Sequence, residues 1–382
     1  MTAPRFSPVE MLDRLVSFRT VVGTSNEGLM AFVVDYLKAH GVHCDLLKGP
    51  EGDRFNLFAT IGDRSVPGYI LSGHVDVVPA DEPEWQSDPF VMRSEADGRL
   101  IGRGTCDMKG YLAAVLAMVG PLSDMDLGAS IHIALSYDEE VGCRGVPHMI
   151  SALPDLCATP LGAIIGEPSG LVPVLAHKGK AALRVCAKGC PGHSSRPDLG
   201  VNAIHAILPV MMAARSQAQS LEFGPLDERF QPPYSTLQVG TFSGGQAVNI
   251  IPDHAEAQME ARAISGVDPK DIFSRVLEAI EIEKASGSSA KITAEWISSY
   301  PALALDREHP LAHLVSEISG HQPVEAVSYG TEAGLFQAAG IPSIICGPGD
   351  ITRAHKSEEY LTLPELNAAA DMILALGKKL SV

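Results

Sequence analysis

The sequence predicts an α/β protein of two domains, in which the second domain is inserted into the first. At 382 residues the chain exceeds the length that one hydrophobic core normally serves. Helical segments alternate with short apolar strands at both ends of the chain, which is typical of a mixed, mainly parallel sheet flanked by helices. That pattern stops near Gly179 and returns after about residue 298. We therefore expect one domain from residues 1–178 and 298–382, and an inserted domain from residues 179–297.

Local signals predict the elements of the first domain. Ser7-Pro8-Val9-Glu10 is a capping box with proline at the first helical position, so a helix begins there. A second helix is expected over residues 26–40, because Gly41 ends it. Apolar runs predict strands near residues 43–47, 55–61, 68–73, 131–136, 162–165, 171–176 and 342–346. Helical spacing predicts helices over residues 108–119, 309–319, 331–339 and 363–379.

The inserted segment has a different order of elements. AALRVCAKG alternates as a strand does, and a helix over residues 199–216 follows it. Strands near residues 235–242 and 254–263, a helix near 268–284 and a strand near 291–297 complete the segment. This order predicts an α+β, ferredoxin-like unit.

Charge and composition restrict the partners of the protein. The chain has 29 basic and 46 acidic side chains, a formal charge of −17, and such a surface repels nucleic acid and anionic lipid. The sequence shows no signal-peptide pattern and no apolar stretch that could span a bilayer. Seven scattered cysteines without a CxxC pair are typical of reduced thiols. We expect a cytoplasmic protein that binds a small molecule, with neither nucleic acid nor membrane as a partner.

Five segments place a possible metal ligand where a strand or turn ends. They are GHVDVVP with His74 and Asp76, GRGTCDMKG with Asp107, SYDEEVG with Asp138, Glu139 and Glu140, IIGEPSG with Glu167, and GPGDITRAHKSEEYL with His355. The carboxyl ends of strands in an open α/β sheet line the ligand crevice, so these segments are expected to converge. Imidazole with carboxylates suits zinc, cobalt or manganese. Glu139, next to a possible ligand, is the expected general base.

Each of these residues also has an ordinary structural interpretation when it is considered alone. His74 could be a core histidine and Asp107 could cap the helix that follows it. Asp-Glu-Glu could be a solvated turn, Glu167 a turn residue and His355 a surface histidine. The combination of all five segments in one α/β frame favours a metal centre over these interpretations.

At these residues the chain resembles the M20 family of metallopeptidases and deacylases. The resemblance rests on SGHVDVVP, GRGTCDMKGYLA, SYDEEVG, GEPSG, GHSSRP, AVNIIPD and AHKSEEY, and it spans nearly the whole chain. It implies a catalytic domain that binds two zinc ions, for which cobalt often substitutes. It further implies that His74 and Glu167 hold one ion, that Glu140 and His355 hold the other, and that Asp107 bridges them.

The same resemblance implies three catalytic roles. Asp76 is expected to orient His74, and Glu139 is expected to act as general base and then as proton donor to the leaving amine. His193, in PGHSSRP of the inserted domain, is expected to stabilise the oxyanion, in the family often in the active site of a partner subunit. The inserted domain is therefore expected to serve as a lid and dimerisation domain of a homodimer.

The C-terminal segment resembles the acetylornithine deacetylase branch of this family. It carries Gly330-Thr331-Glu332-Ala333, where succinyl-diaminopimelate desuccinylases tend to carry Gly-Thr-Ser-Asp. Gly330 and Thr331 are expected to line the site, and Glu332 to meet a distal ammonium group of the substrate. A capping role for Glu332 in the first turn of a helix is the alternative.

Two residues of the inserted domain are expected to read the substrate. Arg262 matches the family arginine that binds a substrate carboxylate, a task that suits a guanidinium. Asn249 is a possible hydrogen-bonding partner of the substrate. Alternatively, Arg262 could be a surface charge at the end of a strand, and Asn249 could be a turn residue.

The resulting hypothesis is hydrolysis of an N-acylated amino acid, N2-acetyl-L-ornithine, to L-ornithine and acetate, a step of arginine biosynthesis. A succinyl-diaminopimelate desuccinylase or another M20 amidohydrolase or carboxypeptidase is the alternative within the family. A non-catalytic, metal-dependent small-molecule-binding protein is the alternative from another class, and Glu139 argues against it. A nucleotide-binding enzyme is disfavoured, because no GxGxxG motif follows a strand.

Overall fold

The computed structural model describes residues 3–287 and 289–382. Its α-helices are α1 (Pro8–Ser17), α2 (Glu27–Ala39), α3 (Lys109–Ala117), α4 (Val119–Ser123), α5 (Val146–Leu156), α6 (Ala203–Leu221), α7 (Ser274–Ala285), α8 (Pro310–Ser319), α9 (Ala333–Ala338) and α10 (Leu363–Leu380). Its strands are β1 (His43–Lys48), β2 (Phe55–Ile61), β3 (Gly68–His74), β4 (Arg93–Ser94), β5 (Arg99–Ile101), β6 (Ser130–Ser136), β7 (Gly162–Pro168), β8 (Ala176–His177), β9 (Gly179–Lys188), β10 (Thr236–Gly244), β11 (His254–Ala263), β12 (Lys291–Tyr300), β13 (Leu303–Ala304), β14 (Ser343–Gly347) and β15 (Tyr360–Thr362).

The chain divides into two compact units. Unit 1 contains the residues up to Ala176, together with Ala304–Glu325 and Thr331–Val382. Unit 2 contains His177–Leu303 and the short segment Ala326–Gly330. These limits differ from the expected ones by a few residues, because β12 continues to Tyr300, where it still pairs with β9.

A six-stranded mixed sheet forms the centre of unit 1. Its strand order is β1-β2-β6-β3-β7-β14. The first two pairings are antiparallel, whereas β3 pairs in parallel with both β6 and β7, and β14 pairs in parallel with β7. The expected mixed, mainly parallel sheet flanked by helices is therefore confirmed. The carboxyl ends of β3, β6, β7 and β14 lie at the same edge of this sheet, where α/β proteins bind ligands.

The helices of unit 1 bury an apolar core against this sheet. The predicted capping box of α1 is present, and Met11, Leu12, Leu15 and Val16 lie on its buried face. Every residue of α3 is buried, as expected for a helix in the middle of a layer. Gly166 allows β7 to lie close to α3, because a Cβ at this position would fall 2.0 Å from the ring of Tyr111.

Unit 1 differs from the sequence prediction in several places. Helix α5 was not predicted, nor were the short strands β4, β5 and β15, which form a separate three-stranded sheet. The helix expected over residues 108–119 is interrupted at Met118, where α3 ends and α4 begins. The strand expected over residues 171–176 is reduced to β8, because Leu171 has a φ of 58° and only isolated bridges form at Val174.

Unit 2 is a four-stranded antiparallel sheet with two helices. Its strand order is β10-β11-β9-β12, and α6 and α7 join the strands in the order β9-α6-β10-β11-α7-β12. This is the ferredoxin-like order that the sequence predicts. Alternate residues of β9 and β11 form the core with α6 and α7. Among the described residues of the whole chain, none of the helices is both long enough and apolar enough to cross a bilayer.

Candidate metal centre

Two groups of possible metal ligands meet at the carboxyl edge of the unit 1 sheet, and they share Asp107. One group is His74, Asp107 and Glu167, and the other is Asp107, Glu140 and His355; within each group the ligand atoms lie within 4.8 Å of one another. The structure therefore brings together the five residues that the sequence nominated as ligands.

The two carboxylate oxygens of Asp107 face different histidines. His74 Nε2 lies 3.2 Å from Oδ1 of Asp107, and His355 Nε2 lies 3.4 Å from Oδ2. Glu167 and Glu140 complete the two groups, at 3.8 Å from His74 Nε2 and 3.0 Å from His355 Nε2 respectively. This arrangement suits a carboxylate that bridges two cations. Asp107 does not cap α3, whose cap residue is Met108.

Asp76 contacts His74 in a different way from the one expected. The Nδ1 atom of His74 lies 2.8 Å from the backbone carbonyl oxygen of Asp76, and 3.6 Å from its carboxylate. The backbone carbonyl can therefore accept the Nδ1 proton, which leaves Nε2 as the possible ligand atom. The carboxylate of Asp76 instead accepts hydrogen bonds from the backbone N–H groups of Glu139 and Glu140, both at 3.2 Å.

The acidic turn after β6 sends its three side chains to different places. Glu140 faces His355, as described above. Glu139 lies next to it and accepts a hydrogen bond from the thiol of Cys143 at 3.2 Å. Asp138 has a φ of 52°, which aspartate tolerates better than most residues. Its carboxylate accepts hydrogen bonds from Arg54 and from the backbone N–H of Gly23, so it belongs to neither group of possible metal ligands.

Two residues that the sequence analysis missed hold the turn around Asp107. Oε1 of Glu359 accepts hydrogen bonds from the backbone N–H groups of Cys106 and Asp107, at 2.9 and 3.0 Å. Oε2 of Glu359 pairs with Arg103 at 2.9 Å, and both side chains are buried. Both residues lie in segments that were singled out for other positions, GRGTCDMKG and AHKSEEY, so their types were visible but their pairing was not.

The electrostatics of the site favour the binding of positive charge. Burial and the charge of Asp107 raise the pKa of Glu167 well above its usual value. Burial, with Glu140 and Asp76 nearby, raises the pKa of Glu139 to about 8. Hydrogen bonds to Asp107 and Glu140 raise the pKa of His355 to about 10.

These observations test whether divalent cations fit the site. Buried carboxylates are costly unless a cation or hydrogen-bond donors compensate them. Oxygen and imidazole donors arranged in two groups around one shared carboxylate match the ligands that zinc, cobalt and manganese take. The residues present therefore fit two such ions.

Unit 2 brings His193 and Asn249 close to each other. The backbone N–H of Ser194 donates to the carbonyl oxygen of Asn249 at 3.0 Å, and His193 forms a bridge with Ile250. Nδ1 of His193 lies 3.2 Å from the backbone N–H of Ser195, which donates to it. Nδ1 also lies 2.7 Å from the hydroxyl oxygen of Ser195, so Nδ1 is engaged within its own loop and Nε2 is the atom of exposed His193 that can donate to a ligand.

Arg262 lies on β11 of unit 2, half-buried between two partners. Its Nε donates to Glu260 at 2.7 Å, and its Nη1 lies 3.5 Å from the hydroxyl oxygen of Tyr300. The side chain is thus held on the sheet rather than mobile at a strand end. Gly330 packs against the same tyrosine, because a Cβ there would fall 2.5 Å from the ring.

Thr331 and Glu332 do not occupy the positions expected of substrate contacts. Thr331 is buried, and its hydroxyl oxygen accepts the backbone N–H of Ala333 at 3.0 Å at the start of α9. Glu332 is 1% exposed, and its two oxygens accept hydrogen bonds from Ser72 and Ser136, at 2.6 and 2.7 Å. The expectation that Glu332 meets a substrate ammonium is wrong, because this carboxylate ties β3 to β6 beneath the site.

Comparison with known proteins agrees with this architecture. The model of peptidase family M20/M25/M40 matches residues 70–379. The acetylornithine deacetylase of Photorhabdus laumondii subsp. laumondii is 31% identical over 378 residues, which cover 96% of each chain.

Solved structures agree in fold. The M20 metallo-carboxypeptidase Sso-CP2 of Sulfolobus solfataricus has a TM-score of 0.78 at 19% identity, covering 98% of this chain and 99% of its own. The Bacillus subtilis YXEP protein, a dinuclear metal-binding peptidase of the M20 family, has a TM-score of 0.65 at 16% identity, covering 97% of this chain and 96% of its own.

Proposed function

This chain belongs to peptidase family M20/M25/M40 and is a hydrolase of that family, and we propose that it deacetylates N2-acetyl-L-ornithine. The observation that supports an amidase is the pair of ligand groups around Asp107, with Glu139 beside them. The observation that supports this substrate is the match to relatives named acetylornithine deacetylase over nearly the full chain.

In this proposal two zinc ions, for which cobalt would substitute, would be held by His74 and Glu167 on one side and by Glu140 and His355 on the other, with Asp107 shared. When bound, such a pair polarises the substrate carbonyl and lowers the pKa of coordinated water. Asp107 and the two histidines contribute by holding their ligand atoms in place before the ions arrive.

Glu139 moves the proton in the proposed reaction. Its Oε1 is held by the Cys143 thiol, so Oε2 takes a proton from the attacking water while the water oxygen bonds to the acetyl carbon. The C–N bond then breaks, and Glu139 gives this proton to the leaving nitrogen. The acetic acid formed ionises, and the α-amine takes up that second proton. Asp76 supports the step by holding the backbone of Glu139.

The remaining parts of the proposal concern unit 2. The Nε2–H of His193 donates to the developing oxyanion, and Arg262 pairs with the α-carboxylate of the substrate. We propose a homodimer in which unit 2 supplies the interface, because Leu208, Met212, Phe242 and Val248 expose large apolar side chains there. Sedimentation of the purified protein tests the dimer. We also propose that the enzyme acts in the cytoplasm, in a step of arginine biosynthesis.

The decisive assay is the release of ornithine from N2-acetyl-L-ornithine by the zinc-loaded protein. N-succinyl-diaminopimelate and a dipeptide with a free carboxyl group are run beside it. Turnover of the acetyl compound alone supports the proposal. Turnover of only one of the other compounds keeps the hydrolase and overturns the substrate.

Replacement of the general base tests the mechanism separately. Glu139→Gln keeps the shape of the side chain, so we expect both metal ions to remain and kcat to fall by about 10²–10⁴-fold. Metal content and kcat are measured on the same preparation. Normal turnover by this variant would rule out the role of Glu139.

Replacement of Arg262 tests substrate recognition. The loss of a charge-assisted pair of about 1.5–3 kcal/mol in Arg262→Met predicts a rise in KM of roughly 10- to 100-fold, with little change in metal content. Arg184→Met, on the neighbouring strand of the same sheet, is the matched control and is expected to leave KM unchanged. Equal effects of the two substitutions would remove Arg262 from the substrate site.

A further inference from the structure

One face of the unit 2 sheet carries a polar cluster that the proposed reaction does not use. Along β9 and β11, alternate residues such as Val185, Ala187, Ala255 and Ala257 pack into the core. Because side chains alternate along a strand, the residues between them point to the opposite face. Cys186, His254 and Glu256 lie on that face, partly or fully exposed.

The register of the two strands makes these three side chains neighbours. Glu256 of β11 lies directly opposite Cys186 of β9. His254 is two residues before Glu256 on the same strand and therefore shares its face. Possible ligand atoms of the three residues all lie within 4.8 Å of one another.

The distance between the sulfur and the nitrogen matches the span of a metal site. Cys186 Sγ lies 3.7 Å from His254 Nδ1. In a tetrahedral zinc site with Zn–S near 2.3 Å and Zn–N near 2.0 Å, the same two atoms are about 3.5 Å apart. One cation could therefore bridge the pair with little movement of either side chain.

We propose that Cys186, His254 and Glu256 bind a divalent ion of the zinc class across β9 and β11, as a site additional to the two ligand groups around Asp107. Thiolate, imidazole and carboxylate together select zinc or cobalt over the hard cations calcium and magnesium. Three protein ligands leave the fourth tetrahedral position to water.

The neighbouring charges oppose this ion only weakly. Arg184 Nε lies 3.6 Å from Oε1 of Glu256, which is beyond a normal hydrogen bond. Such a partly exposed ion pair is worth about 0–1 kcal/mol, less than a metal–ligand bond offers. The side-chain amide of Gln258 donates a hydrogen bond to Oε1 of Glu256 at 3.2 Å. The contacts of Arg184 and Gln258 therefore both involve Oε1 and leave Oε2 of Glu256 for the ion. Lys188 lies opposite His254, where water and salt screen its exposed ammonium group.

Cobalt spectroscopy separates this site from the catalytic one. The groups around Asp107 contain only nitrogen and oxygen ligands, so cobalt bound there gives no thiolate charge-transfer band. Cobalt at Cys186 does give one, in the near ultraviolet. The experiment is a titration of the metal-free protein with cobalt(II), followed by absorbance and by the number of ions bound per chain.

Two serine substitutions complete the test. Cys190→Ser is the matched control, because Cys190 is an exposed cysteine of the same unit outside the cluster. We expect the charge-transfer band in the unmodified protein and in Cys190→Ser. In Cys186→Ser we expect the band to disappear and the number of cobalt ions bound per chain to fall by one. Persistence of the band in Cys186→Ser, or absence of any band from the unmodified protein, overturns the proposal.

A second variant distinguishes the loss of a metal ligand from the loss of the fold. His254→Gln is expected to weaken the band and to lower cobalt affinity by at least tenfold, while amidase activity of the loaded protein stays unchanged. If His254→Gln binds cobalt as tightly as the unmodified protein, the three-ligand site is wrong. Failure of the amidase assay leaves this test unaffected, because the band reports only on the thiolate.

Discussion

Replacement of Glu359 by glutamine should loosen the turn that presents Asp107. Glu359 accepts hydrogen bonds from the backbone N–H groups of Cys106 and Asp107 and pairs with buried Arg103. The amide oxygen of Glu359→Gln still accepts from the backbone. Its amide nitrogen, however, would face the guanidinium of Arg103, donor against donor.

The expected loss of unfolding free energy depends on the hydrogen-bond partners that Arg103 keeps in Glu359→Gln. Breaking a buried ion pair by removing one partner costs about 3–5 kcal/mol. Arg103 also binds Glu82 at 2.8 Å and the carbonyl oxygens of Pro79 and Lys356, at 3.0 and 3.1 Å. Because Glu82 still compensates part of the charge of Arg103, we expect the free energy of unfolding to fall by the lower value, about 3 kcal/mol. Metal affinity should fall by about 10- to 100-fold, as for other residues that support a ligand.

The neighbouring residue provides a matched control. Glu358 pairs with Arg93 and accepts the backbone N–H of Gln86, but its side chain is partly exposed, so Glu358→Gln should cost about 1 kcal/mol or less. Urea unfolding of the metal-free proteins gives the two free energies of unfolding, and calorimetric zinc titration gives the affinities. Equal unfolding free energies and equal zinc affinities for the two variants would refute the reasoning.

The other predictions concern packing and pH. Gly166→Ala places a methyl group 2.0 Å from the ring of Tyr111 and should lower the free energy of unfolding by about 1–3 kcal/mol or more. Gly28→Ala is the control, because its Cβ would meet no atom closer than 3.7 Å, and it should not destabilise the protein. Burial lowers the pKa of His132 from 6.5 to about 4. The unfolded chain therefore binds the proton more readily, and stability falls by up to about 3 kcal/mol as the pH drops from about 6.5 to 4. The difference in unfolding free energy between the unmodified protein and His132→Gln, measured by urea at several pH values, isolates this contribution; a difference independent of pH would contradict it.

The positions of the ligand segments could be predicted because the rule behind them is general. His74 and Glu167 end parallel strands β3 and β7, and Glu140 lies in the turn that follows β6. Only the order of strands and motifs is needed to place such residues at one edge. The ferredoxin-like unit was predictable for the same reason, since its order of elements is distinctive.

The direction of individual side chains in loops could not be predicted in this way. Thr331 and Glu332 turn inward, although they precede a helix near the C-terminal motifs. Loops lack the periodicity that tells the buried side of a strand or helix from its exposed side. The partnership of Arg103 with Glu359 was equally hidden, because 256 residues separate them and no local pattern links residues so far apart.

Asp76 shows how a motif can be identified correctly while its atoms act differently from the expectation. Its backbone carbonyl oxygen fixes the tautomer of His74, while its carboxylate holds the N–H groups of Glu139 and Glu140. One residue after β3 therefore positions a ligand on its own strand and the acidic turn after β6. β3 and β6 are adjacent and parallel, and Glu332 links the same two strands through Ser72 and Ser136. The proposed base Glu139 and the proposed ligand His74 therefore lie on one pair of strands that is held together at this edge. The position of Glu139, the base of the proposed reaction, thus depends on the carboxylate of Asp76, and the orientation of His74 depends on its backbone carbonyl.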